Sequence, residues 1–120
     1  MYTRLYATSD GETHFQDVEL DFAPAIVVQG LPQVDVARPL TVRALVFAEL
    51  GKGYTSDFHP APQRQFVIVL SGGLELTVTD GEVRRFGPGG VFLAEDAIGK
   101  GHQVRTTGAE ACVCVMVPCT

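Results

Sequence analysis

At 120 residues the chain has the length of one domain, and a domain of that size can bury a core without disulfides or metals. Nine basic against fourteen acidic residues leave a net charge of −5, which argues against nucleic acid, whose phosphates must be neutralised by Lys and Arg. No apolar run approaches the ~20 residues that span a bilayer, and Met1-Tyr2-Thr3-Arg4 leads into polar sequence, so neither a membrane partner nor a signal peptide is expected and the expected compartment is cytoplasmic.

Thirteen glycines and seven prolines cut the chain into pieces too short for a long helix. His14 reads as a surface residue of an N-terminal strand. Val18, Leu20 and Phe22 then alternate with Glu19 and Asp21, the period of two of a half-buried strand. Residues 23–39 carry three prolines and weak alternation, which predicts an irregular connection holding one short strand near Ile26–Val28. In the apolar run Val42–Phe47, Arg43 reads as exposed at a strand end. Phe66–Leu70 is apolar on both faces, and Gln65 shares a face with Val67 and Val69. Leu74, Leu76 and Val78 alternate with polar residues, and Asp80-Gly81 follows as a hairpin turn. Cys112–Val117 is again apolar on both faces.

Glycine-rich breaks at 51–53, 71–73, 87–90 and 99–101 separate these runs, the pattern of a sandwich, jelly roll or barrel. The expectation is one all-β domain over residues 1–120, with N-terminal strands and an irregular connection in 1–40 and the core in 41–118. Strands apolar on both faces need cover outside as well as inside, which predicts a homodimer formed by packing β-sheets. Cys112, Cys114 and Cys119 show no metal or disulfide spacing and read as small buried hydrophobes, the alternative being a reactive thiol on the barrel wall.

From Gly53 onward the chain resembles the first motif of the cupins: a Gly, five residues, His-x-His, a Glu after three or four more, and a Gly six residues later. Here His59 follows Gly53 by five residues, Ala61 stands at the second His, Gln65 at the Glu, and Gly72 closes the motif. Ala97-Ile98-Gly99-Lys100-Gly101-His102 is similar to the second motif, with Ala97 at its Pro and Thr106 at its Asn. Gly81, Phe86, Pro88 and Gly90 resemble the hairpin between the motifs. The likeness runs over Thr41–Pro118. It implies a cupin-type β-barrel, the double-stranded β-helix or jelly roll, with a small-molecule pocket inside around His59, Gln65 and His102, and a dimer.

Cupins of the full pattern hold a metal on three His and one Glu. This chain keeps one His from each motif and offers a neutral Gln, so a divalent metal (iron, nickel, zinc or manganese) would rest on His59, His102, Gln65 and a carboxylate, Asp57, two residues before His59, ahead of Glu49, Glu95 or Asp96. The metal-free alternative uses His59, His102, Gln65 and nearby carboxylates as acid, base and hydrogen-bond donors; sugar epimerases and small polyketide cyclases, which the chain resembles in architecture, work without a metal. A third alternative leaves both imidazoles merely satisfied by backbone groups. The function expected is a small-molecule enzyme of isomerase, cyclase, lyase or dioxygenase type acting on a small oxygenated substrate. The other reading is a non-catalytic ligand-binding or sensor protein. Glu95 and Asp96 are adjacent and point to opposite faces of a strand, with Asp96 expected to cap the turn at 97–101, the alternative being a catalytic role. Lys100 reads as exposed or lid-like, and Tyr54 and Phe58 as pocket walls.

Overall fold

Alternating apolar side chains need a second layer to cover them, and this chain supplies it by folding back on itself as strands alone. The computed structural model describes all 120 residues. Its eleven strands are β1 (Tyr2–Ala7), β2 (Thr13–Val18), β3 (Ala23–Ala25), β4 (Val34–Val36), β5 (Val46–Leu50), β6 (Gln65–Ser71), β7 (Leu74–Val78), β8 (Val83–Phe86), β9 (Val91–Ala94), β10 (His102–Thr106) and β11 (Cys112–Pro118). No helix is long and apolar enough to cross a membrane.

Six strands form one sheet in the order β2-β1-β9-β6-β11-β5, antiparallel throughout except for the parallel pair β1 and β9. Three more, β10-β7-β8, form the second sheet. The buried cluster draws on both: Leu5, Val69, Phe92 and Cys114 from the first meet Leu76, Val78 and Phe86 from the second. Each fully buried Leu or Val stabilises the fold by about 1.5–3 kcal/mol relative to exposure, so this interdigitated layer holds the two sheets face to face. The result is the all-β, jelly-roll-like architecture expected from the strand pattern.

The face assignments on β6 and β7 hold in detail. Val67 and Val69 point inward and Leu70 outward, while Leu74, Leu76 and Val78 are all buried against the other sheet. The turn at Asp80-Gly81 joins β7 to β8: Gly81 takes a φ of 97°, and the Asp80 carboxylate accepts the Glu82 amide at 2.8 Å. Left-handed backbone of that kind is where a glycine is required.

Two expected strands are displaced. The alternation at Val18–Phe22 is not a strand; β2 lies upstream and ends at Val18, and Leu20 and Phe22 are exposed. Nor is Ile26–Val28 a strand. It forms the bend of a short hairpin, β3 paired with β4, whose strands flank it on either side. Both differences have one cause: apolar side chains here are not facing this chain's own core, so periodicity does not report the local backbone.

Candidate active site

The segment after Gly53 runs antiparallel to β10 and brings the two motif histidines opposite one another. His59 and His102 exchange reciprocal backbone hydrogen bonds, N–H to O at 3.1 and 3.0 Å. Residues directly opposed on an antiparallel ladder project to the same face. Their rings accordingly sit side by side, 5.2 Å between centroids and tilted by 44°.

Each imidazole is held through Nδ1. His59 Nδ1 lies 2.9 Å from the backbone carbonyl of Asp57. A carbonyl only accepts, so Nδ1 carries the proton and the neutral ring presents a bare Nε2. His102 Nδ1 lies 2.5 Å from Asp96 Oδ2. Asp96 is fully buried, and its other oxygen, Oδ1, has no partner. Neither Nε2 has a protein partner, and both rings line a cavity of about 200 Å³.

Val67, Leu74, Phe92, Val104, Cys114 and Met116 wall that cavity, and Ala61 and Ala94 extend the apolar surface. Polar groups are few: the two imidazoles, the Gln65 amide and Tyr54. The Gln65 amide makes no side-chain hydrogen bond within the protein, although its strand position beside Val67 aims it at the interior. No Lys or Arg lines the cavity.

Thr13 completes the scaffold. It is fully buried, and its hydroxyl donates to the Gly101 carbonyl at 2.7 Å, one residue before His102. The Thr13 amide in turn donates to Thr79 Oγ1 at 2.7 Å. Asp96 is fixed from the other side by its own carbonyl, which accepts the Ala61 amide at 2.9 Å.

Several residues stand elsewhere than expected. Asp57 is exposed and does not line the cavity; it contributes its carbonyl to His59, while the chain bends at Phe58 and breaks the strand alternation that would have turned its carboxylate inward. Asp96 does not cap the 97–101 turn with its side chain, because its carboxylate is buried on His102. Glu95 points the opposite way, between Arg4 and Arg64. Burial raises the Glu95 pKa, but the two guanidiniums outweigh it and hold the group below the usual carboxylate range. Phe58 is exposed rather than a cavity wall. Lys100 pairs with Glu12 and Arg43 with Gln63, both at the surface, and His14 lies between Thr8 and Asp80.

The three cysteines are free and buried. Cys114 lines the cavity, yet burial, with a smaller contribution from Cys112, pushes its thiol up to about 11; burial alone raises Cys112. A thiol attacks as its thiolate, so neither is a nucleophile near neutrality. With iodoacetamide at pH 8, Cys112 and Cys114 are expected to stay unmodified in the native protein and to react fully in 6 M guanidinium. Mass spectrometry of tryptic peptides reads the difference, and rapid native labelling of Cys114 would contradict this account.

A family model of the cupin domain matches residues 46–118, more than half of the chain. The chain belongs to the cupin family. Among solved structures, this cupin is similar to the Cnp3 cupin domain of Schizosaccharomyces pombe, at 18% identity and a TM-score of 0.53, over 90% of this chain and 73% of that one. It is also similar to a conserved protein of unknown function, SPY1581, from Streptococcus pyogenes (24% identity, TM-score 0.48, 71% of each chain). A third is protein NMB1881 from Neisseria meningitidis (14% identity, TM-score 0.45, 86% of this chain and 89% of that one). No curated protein matches the cupin by sequence.

The donor set departs from the three His and one Glu of the full cupin pattern, and of the four residues expected to hold a divalent metal Asp57 does not line the cavity. Two imidazoles and a neutral amide face the cavity, and nowhere do three His, Cys, Asp or Glu side chains converge as metal ligands.

Proposed function

We propose that this cupin catalyses proton transfer on a small, uncharged, oxygen-bearing molecule bound in the barrel cavity. One observation carries the reading: a histidine that opens onto an apolar cavity is backed by a fully buried carboxylate. Burying an ionised carboxylate with one oxygen unpaired costs several kcal/mol, and packing gives no reason to retain it. A base that must become an imidazolium does. Asp96 orients the His102 ring, keeps Nε2 as the proton acceptor in the neutral form, and stabilises the cation once the proton arrives.

The remaining polar groups fall into place around that step. Gln65 offers an amide N–H to the ligand's carbonyl oxygen, where negative charge grows as a neighbouring C–H proton leaves for His102. His59, with its lone pair on Nε2, takes or returns the second proton of an isomerisation or cyclisation. The cavity without Lys or Arg disfavours carboxylates and phosphates, and its volume matches one ring. An engineered apolar cavity of about 150 Å³ already admits benzene. The cavity of about 200 Å³ therefore suits a cyclic ketone, aldehyde or phenol.

Cyclohexanone tests this. In D₂O the wild-type protein is expected to accelerate exchange of its α-protons, followed by the loss of their NMR signal. His102→Ala should slow that exchange about 10²–10⁴-fold while remaining folded. Benzoate, of similar size but charged, should not compete. Exchange no faster than with buffer imidazole, together with cyclohexanone binding unaffected by His102→Ala, would leave the alternative of a non-catalytic ligand-binding cupin.

A further inference from the structure

We propose that Thr13, at the start of β2, is a positioning residue for His102: its hydroxyl fixes the peptide that leads into His102 and so keeps the imidazole on the Asp96 carboxylate. The inference rests on the proton-transfer reading of the same site and names the residue that holds its base in place.

Asp96 and His102 are the two ends of one short loop, residues 97–101. Ala97, Ile98, Gly99 and Lys100 are all exposed, so the loop buries no side chain that could hold it. Backbone contacts with the β1–β2 turn hold it instead. The Lys100 amide donates to the Gly11 carbonyl at 3.0 Å, and a Cβ on Gly99 would fall 2.7 Å from that same carbonyl oxygen. Lys100 also pairs with Glu12 at the surface, where an ion pair contributes little. The third contact lies in the interior: the Thr13 hydroxyl donates to the Gly101 carbonyl at 2.7 Å.

That carbonyl belongs to the same planar peptide as the His102 N–H, which donates to the His59 carbonyl at 3.0 Å. Thr13 therefore holds one edge of the plane and His59 the other. Release of either edge lets the plane turn, and the His102 side chain turns with it. Packing alone does not call for the hydroxyl, since Val has nearly the same shape. Thr13 is fully buried, and its oxygen is committed twice, accepting the Thr79 amide at 2.9 Å while donating to Gly101. One hydroxyl thus ties β2 of the first sheet to the end of β7 and the start of β10 in the second, beside the pair His102 and Val78. Thr13 lies well ahead of the cupin domain, which begins at Val46. The N-terminal strands thereby take a part in the site beyond covering the core.

Low-field proton NMR reads the bond from His102 Nδ1–H to Asp96 without any substrate, and His102→Ala assigns the signal. Thr13→Val keeps the shape and loses the hydroxyl. It is expected to broaden that signal into exchange with water and to slow cyclohexanone α-proton exchange on the order of 10²-fold. Thr13→Ser should restore both. Val69→Ala, a truncation in the core of β6, should lower the melting temperature and leave signal and rate unchanged. Thr13→Cys, a weaker donor of similar size, carries the same expectation where Thr13→Val does not fold. A wild-type signal in the folded Thr13 variant, or its loss in Val69→Ala as well, would overturn the inference. The signal also separates this failure from that of the proposed reaction. If the wild type does not accelerate exchange and Thr13→Val still loses the signal, Thr13 positions His102 and only the catalytic reading falls.

Discussion

Asp96→Asn is expected to leave the melting temperature within a few degrees of wild type, or above it, while slowing cyclohexanone α-proton exchange about 10²–10⁴-fold. The stability half follows from what the carboxylate endures. It is fully buried and only Oδ2 is bonded, to His102 Nδ1, so the carboxylate sits in low dielectric with one of its two oxygens unpartnered. Asn keeps the shape, its oxygen retains the Nδ1–H bond, and its amide takes the place of Oδ1 as a neutral unpaired group. Removing the charge relieves the desolvation cost that a buried ion carries. The functional half follows from the loss of charge. Hydrogen bonds to ionised groups are roughly twice as strong as neutral ones, so the imidazolium formed on proton abstraction loses most of its support. A purely structural Asp96 gives the opposite pattern: a fall of about 1–3 kcal/mol, on the order of ~10 °C in melting temperature, with exchange untouched. Differential scanning calorimetry beside the exchange assay separates the two.

Those roles were unequally legible in the sequence. His59, Gln65 and His102 stand at fixed spacings from Gly53 and Gly99, and spacing along strands survives folding. Gln65 was readable from the alternation with Val67 and Val69 alone. Asp96 was not. It lies six residues before His102, and the two side chains meet because the chain doubles back through Gly99 and Gly101, both left-handed, at φ of 84° and 78°. Nothing in the order Glu95-Asp96 says which of two adjacent carboxylates goes inside. The arginines that hold Glu95 outward, Arg4 and Arg64, come from distant segments. Asp57 failed for a local reason: its alternation with His59 needed a regular strand, and Phe58 bends. The hairpin at 23–36 was obscured because its apolar residues face away from this chain's core, and Pro24 sits within β3, where a strand normally donates hydrogen bonds. Thr13 carried no signal at all, since a buried threonine and an exposed one read alike.

Gly101→Ala is expected to unfold or severely destabilise the protein, by about 3 kcal/mol or more, through the same contact that places the two histidines together. At φ 78° any side chain is strained by ~1–2 kcal/mol. Steric overlap costs more than that strain. A Cβ at this position would fall 2.0 Å from both the carbonyl carbon and oxygen of His59 and 2.3 Å from the nitrogen of Pro60. All three are backbone atoms, so no rotamer change relieves the overlap; the segment carrying His59 must move off β10. That motion breaks the reciprocal bonds between His59 and His102. Gly108→Ala separates the backbone strain from the overlap. Gly108 has nearly the same φ, 73°, but nothing within 4 Å of the added carbon, so it should lose only the ~1–2 kcal/mol of strain. Urea melts of the two variants measure the difference directly. Equal losses would mean that His59 and β10 can separate without cost, and the cavity would then have no fixed spacing between its two imidazoles on which to build proton transfer.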